Sequence, residues 1–308
     1  MRTTRAAAAL VLALLLGAAP AFASATAGAE PFNFLFLDAN ARAVALGGAY
    51  TALATDANAL LYNPAGLARV ERNEATFMHD SYAAGVLQEY GAYASPNGWG
   101  GSFNYVNSGV VQNTTNSNPD GSGLASTGLY DLAASAGYGR KLGDALSLGA
   151  ELKYIRESIA GISGAGVAFD FGAMYAVTQT PGLTFGASLQ NVGPTVKYES
   201  ATQNLPLNIR GGAAYVFDAF EQKTTMSFDV MKERSQNAAV SAGAETILLK
   251  AMPVRVGFTT NDTAGLGITT GIGWIHGGLA VDYAFVPLGS LGDAHRISVT
   301  WRWGAPKP

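Results

Sequence analysis

The chain has 308 residues, a formal net charge of −3 and no cysteine; 13% of its residues are charged and 38 are glycine. The charged share is about half that of soluble domains, and glycine is far above its usual ~7%, which argues against a compact helical domain. The charge gives no electrostatic footprint for nucleic acid, and the missing cysteines exclude both a disulfide framework and a lipidated N-terminal cysteine.

Arg2 and Arg5 precede an unbroken apolar run from Ala6 to Leu16, followed by the small-x-small triplet Ala21-Phe22-Ala23. That order is a secretory signal peptide over residues 1–23, cleaved after Ala23. Beyond it no stretch approaches the ~20 apolar residues of a helical membrane span.

Residues 24–72 do not alternate. Ala41–Leu46 and Asp56–Tyr62 predict short helical turns separated by Gly47-Gly48. Asn63-Pro64-Ala65-Gly66 predicts a turn, with the residue before proline pushed out of the helical region and Gly66 free to take positive φ. The segment is too apolar to float free and too long for a linker. It is expected to fold into the lumen of the following domain as a hatch; a periplasmic cap is the alternative. Arg42 and Asp56 are the hatch residues expected to meet wall charges, and Gly47-Gly48 is a candidate hinge.

From residue 73 to 303 the chain repeats one pattern, about ten residues of strict alternation and then a turn. Leu146, Leu148, Ala150, Leu152 and Tyr154 alternate with Ser147, Gly149, Glu151 and Lys153, and Ile297, Val299, Trp301 and Trp303 with Ser298, Thr300 and Arg302. Period two makes one face apolar and the other polar. A strand of ~10 residues tilted by ~40° stands about 25 Å tall, the height of an outer-membrane apolar band. A soluble sandwich would cover its outer faces with Lys and Glu, whereas the polar positions here are mostly Gly, Ala, Ser and Thr. Fourteen segments are predicted, near 74–79, 85–95, 99–107, 129–141, 145–157, 165–177, 182–192, 206–217, 223–232, 237–247, 252–261, 264–275, 278–287 and 294–303. The expected fold is an all-β membrane protein, a 14-stranded antiparallel transmembrane β-barrel with a short N-terminal hatch in its lumen, followed by a tail at 304–308. The longest connections, 108–128 and 193–205, follow odd-numbered strands, which places them outside the cell when both termini are periplasmic.

Charges on the strands fall on the phase opposite the apolar residues: Glu151, Lys153, Asp170, Arg210, Asp229, Glu245, Arg255, Asp282, Arg296 and Arg302. Facing lipid, each would cost ~2–4 kcal/mol near the midplane, so they are predicted to face the lumen. Five acids against five bases is not the single sign of a selective ion pore, and an internal salt-bridge network is the expected role. Trp99, Trp274, Trp301 and Trp303 sit near segment ends, as interfacial girdles do. His79-Asp80-Ser81 is the one catalytic-looking triplet, but consecutive strand residues point to alternate faces. Asn116, Asn118, Asp120 and Gly121 echo a calcium loop, with Thr127 where a bidentate Glu belongs. No catalytic residue, metal site or cofactor is expected.

The run from Ala41 to Ala68 resembles the N-terminal signature of FadL-like outer-membrane barrels, and most closely the PorV/PorQ branch. The resemblance rests on Ala41-Arg42-Ala43, Gly47-Gly48, Asp56-Ala57-Asn58 and Asn63-Pro64-Ala65-Gly66. It implies a fourteen-stranded barrel with a hatch, in the outer membrane of a Gram-negative-type cell. As a PorV/PorQ-like protein the chain would serve in transport of secreted proteins to the cell surface, as a type IX accessory, with secreted proteins or secretion components as partners. The alternative is a FadL-like passive channel for hydrophobic small molecules, gated by the hatch. Chain length and the polar, aromatic-free loop 108–128 favour the first. The last strand, Arg296 to Trp303, resembles the insertion signal read by barrel-assembly machinery; lipid and that machinery are the remaining expected partners.

Overall fold

The structure is a computed structural model that describes residues 31–82, 85–199, 201–261 and 265–307, so the predicted signal peptide lies outside the described residues. The chain enters through a short helical turn at Asn33–Phe36, then α1 (Ala41–Ala45), α2 (Ala59–Tyr62) and a 3₁₀ turn at Pro64–Arg69. Sixteen strands follow: β1 (Asn73–Ser81), β2 (Leu87–Ala94), β3 (Trp99–Gln112), β4 (Ser126–Leu142), β5 (Leu146–Ile159), β6 (Ile162–Ala176), β7 (Leu183–Val192), β8 (Val196–Tyr198), β9 (Ala201–Gln203), β10 (Asn208–Ala219), β11 (Gln222–Glu233), β12 (Ala239–Leu248), β13 (Met252–Thr259), β14 (Ile268–His276), β15 (Leu279–Pro287) and β16 (Asp293–Trp303).

All but β8 and β9 form one closed antiparallel barrel of neighbouring strands, so the fold is the expected fourteen-stranded transmembrane barrel. The ring closes where β1 pairs with β16, from Asn73 opposite Trp303 to Ser81 opposite His295. The alternation dictates which face goes where. Leu148, Leu152, Tyr154, Val167, Phe169 and Phe171 stand exposed on the outer surface, while Ser147, Glu151, Lys153 and Asp170 are buried inside. An exterior this apolar is stable only in lipid.

One barrel end carries the short connections, 95–98, 143–145, 177–182, 220–221, 249–251 and 277–278. By the loop-length rule for such barrels this is the end expected to face the periplasm. The opposite end carries 113–125 and 193–207, with one departure: the β5–β6 connection is only residues 160–161. There the strands grow instead of the loop, and β3 to β6 run up to 17 residues, so the wall stands tallest on that side. The predicted long loop 108–128 accordingly shortens, its ends being drawn into β3 and β4. The second long connection folds into the β8–β9 hairpin, which three-residue strands made invisible to periodicity. Trp99 packs on Tyr138, and Trp301 on Trp303, all near the periplasmic rim.

Candidate functional site: the hatch, the lumen and its two cavities

The hatch fills the barrel interior and forms most of the apolar core, with Leu46, Tyr50, Leu60, Tyr62 and Leu67 buried. It approaches the wall backbone to backbone, because the wall is glycine where it docks. A β-carbon on Gly257 would sit 2.1 Å from the Gly47 nitrogen, and one on Gly149 would sit 2.2 Å from the Pro64 carbonyl carbon. Gly243 faces Leu46, Gly172 faces Asn63 and Gly186 faces Thr51 at similar range. The glycine excess in the composition is therefore in part a docking surface.

Gly47 and Gly48 take positive φ, 68° and 76°, and are wedged against Phe258 and Asp38. They form a tight turn that is packed against the wall at Phe258. The turn at Asn63-Pro64-Ala65-Gly66 forms as expected: Asn63 Oδ1 accepts from the Ala65 N–H at 3.2 Å, and Asn63 Nδ2 donates to Thr51 O at 3.0 Å and Ala173 O at 3.1 Å. Gly66 differs from its expected role. It is not among the positive-φ residues; it is glycine because a β-carbon would lie 1.5 Å from the Ala54 carbonyl oxygen.

Arg42 reaches from α1 to the wall and binds Glu245 through both Nε (3.0 Å) and Nη2 (2.8 Å). Glu245 also accepts from Arg255 at 2.6 Å, and Arg255 reaches Asp282 at 2.6 Å. This makes a chain of alternating charge across β12, β13 and β15. Asp56 stays within the hatch, accepting the Tyr50 hydroxyl at 2.5 Å, with Arg42 4.0 Å away. Asp229 is the second anchor: it accepts the Tyr50 N–H, the Thr51 N–H and the Thr51 hydroxyl, and pairs with Arg210 at 3.5 Å. Lys153 pairs with Asp170 at 2.8 Å, Arg296 with Asp80 at 2.6 Å, and Arg302 with Glu74. Nine of the ten strand charges are buried in the lumen; Arg302 is partly exposed at the periplasmic mouth. Glu151 stands opposite Asp170 in the β5–β6 register and makes no ion pair among the described residues.

Sequence reasoning missed Glu74 and Asp80 as wall charges, although both lie on the lumen phase of β1, and it missed Tyr50 and Thr51 as hatch anchors. It also missed a latch at the outer mouth. The Phe32 N–H donates to Glu157 Oε1 at 3.0 Å, and the Tyr198 hydroxyl of β8 donates to Glu157 Oε2 at 2.5 Å. Burial, and then this bond to Glu157, push the Tyr198 hydroxyl well above its usual pKa, so it remains a donor. The rings of Phe32 and Tyr198 lie 5.8 Å apart over a cluster with Phe34, Val106, Ile155 and Leu205. His79 is exposed and meets Glu89 at 2.6 Å, while Asp80 is buried, so the two stand on opposite faces. In the outer loop, Asp120 and Asn118 are engaged with Ser122.

Two cavities flank the hatch. The outer one, about 440 Å³, is lined by Leu35, Leu37, Val44 and Met231, with Arg210 and Arg296 among its polar groups. The periplasmic one, also about 440 Å³, is bounded by the hatch exit, Lys223, the 277–278 turn and Arg302. Val44 faces the first and Arg42 the second, so α1 stands between them.

A family described as "Uncharacterised protein family (UPF0164)" matches residues 13–208. A UPF0164 protein of Treponema pallidum (strain Nichols) is 28% identical over 220 residues, 64% of this chain and 54% of the relative, so the chain spans about half the length of that protein. Among solved structures, the CymD monoaromatic hydrocarbon channel superposes with a TM-score of 0.60 at 13% identity, covering 86% of this chain and 97% of CymD. The Ralstonia pickettii toluene transporter TbuX gives 0.58 at 14%, covering 86% and 98%. A Pseudomonas aeruginosa FadL homologue gives 0.51 at 12%, covering 84% and 96%. The chain shares the FadL-like fold; these identities speak to fold alone.

Proposed function

We propose that this chain, which belongs to the UPF0164 family, is an outer-membrane channel for hydrophobic small molecules, with residues 31–70 as its hatch. The carrying observation is the outer cavity of about 440 Å³, open between the hatch and the outer loops, where Leu35, Leu37, Val44, Met231 and Leu288 stand beside polar groups such as Asn208, Arg210 and Arg296. A cavity of that size suits a small apolar or amphipathic molecule, with Arg210 and Arg296 available to orient a polar end. The solved barrels of the same fold are described as a monoaromatic hydrocarbon channel and a toluene transporter, which supports the same reading.

Chain length and the polar loop 108–128 favour a PorV/PorQ-like secretion accessory, the reading preferred from sequence. The channel reading now stands ahead of it, because it accounts for a partly apolar cavity inside the barrel that a docking role leaves without purpose. The test is a deletion strain scored for uptake of labelled toluene and oleate and for release of surface proteins. Reduced uptake with normal secretion is expected. Normal uptake with impaired secretion would overturn the proposal in favour of the secretion reading. A Met231→Trp variant, which narrows the outer cavity, should reduce uptake at unchanged barrel abundance.

A further inference from the structure

The periplasmic cavity has its own chemistry. The hatch leaves the barrel through Arg69 and Arg72 on its way to β1, and with Lys223 these cations border the cavity, as do Asp56, Glu71 and Glu74. Two of those acids are already satisfied. Asp56 accepts from Tyr50 and from the Asn58 N–H, and Glu74 accepts from the Ala57 N–H and from Arg302. Arg42, which also borders it, is spent on Glu245.

The remaining cations are not matched. Arg69 donates one Nη to the Ala145 carbonyl at 2.6 Å, while its buried Nε has no partner among the described residues. Burial lowers its pKa from the usual guanidinium value, as expected for a charge taken from water with no carboxylate beside it. Arg72 and Lys223 form no ion pair among the described residues, and Arg302 engages Glu74 through Nε, leaving its terminal nitrogens available. Within the lining of the cavity, Arg69, Arg72 and Lys223 meet one carboxylate without an ion pair, the exposed Glu71, while Asp218, opposite Lys223 in the β10–β11 register, lies outside that lining. A concave wall focuses this surplus, and guanidinium forks fit the paired oxygens of phosphate or carboxylate.

We propose that the periplasmic cavity is a binding site for a phosphate group, held by Arg69, Arg72 and Lys223 at the mouth where the hatch passes into β1. The phosphate belongs either to a soluble phosphate ester or to a lipid headgroup of the periplasmic leaflet. The site is independent of what the barrel transports.

The test uses the full mature chain. Inorganic phosphate and glycerol phosphate are titrated calorimetrically in a zwitterionic detergent, and a second arm compares nanodiscs with and without phosphatidylglycerol by hydrogen exchange at residues 69–74. The R72Q/K223Q double variant changes exposed side chains only, and R140Q removes a cation of the same rim outside the cavity. Saturable binding in either arm, weakened about tenfold or more in the double variant and unchanged in R140Q, is expected. Response to the soluble phosphates assigns a soluble ester, and response to phosphatidylglycerol alone assigns a headgroup. No saturable response in both arms, or equal loss in R140Q, would overturn the proposal.

Discussion

Asp229 shows how much one wall side chain can hold. It accepts three donors from Tyr50 and Thr51 and faces Arg210, all buried. Replacing it with alanine leaves Arg210 desolvated beside unpaired hatch N–H groups, a loss of about 3–5 kcal/mol. Asp229→Ala should therefore loosen the hatch before the barrel, seen as protease cleavage within residues 46–56 at temperatures where the barrel still migrates as folded. Gly257 makes the same point through space. A leucine there cannot coexist with a Gly47 nitrogen 2.1 Å from the new β-carbon, so α1 must leave the wall. Gly257→Leu is expected to raise single-channel conductance in a planar bilayer while the circular dichroism stays that of a barrel; unchanged conductance would show that α1 does not close the lumen.

Among the elements, two short hairpin turns hold non-glycine residues at positive φ. The β10–β11 turn sets Phe220 and Glu221 at φ 50° and 62°, and the β12–β13 turn sets Leu249 and Lys250 at 51° and 58°. The first is a two-residue turn, which ordinarily uses Asn-Gly, and the second has three residues; in both a β-carbon at positive φ costs ~1–2 kcal/mol. Glu221→Gly should stabilise the barrel by about 1 kcal/mol in urea unfolding, whereas the same change at Glu157 should destabilise it by undoing the Phe32 and Tyr198 latch. The hatch is the other decisive element. Removing residues 31–66 takes away most of the buried apolar core and leaves Glu245 and Asp229 without their hatch partners. Conductance should rise in that variant, and an equal conductance would mean that the intact lumen already passes ions.

At the scale of the whole molecule, antiparallel closure with an even strand count places both chain ends of the barrel on one side. Lys307 donates to the Glu71 carbonyl and to the Pro96 carbonyl, which ties the tail to the same rim. An epitope inserted after Ser117 should be labelled on intact cells and one appended after Pro308 should not. The reverse pattern would invert the assignment of the two cavities to the outside and the periplasm.

The barrel was legible in the sequence because period two is a local property. Each strand announces its lipid face through residues such as Leu148, Leu152, Val299 and Trp301, and every turn interrupts the pattern. The same locality placed Glu245, Arg255 and Asp282 inside, since a lipid-facing charge is too costly for any alternative. It could not say that these three, with Arg42, form one chain of contacts, because Arg42 and Glu245 are brought together only when the ring closes around the hatch. Gly149, Gly172 and Gly257 read as weak strand residues until the hatch backbone is seen against them. The β8–β9 hairpin and the Glu157 latch carry no periodicity and arise from packing over the mouth. The two cavities depend on the difference between the lumen volume and the hatch volume. Local alternation fixed the wall, and only the closed tertiary structure decided what fills it and what space is left.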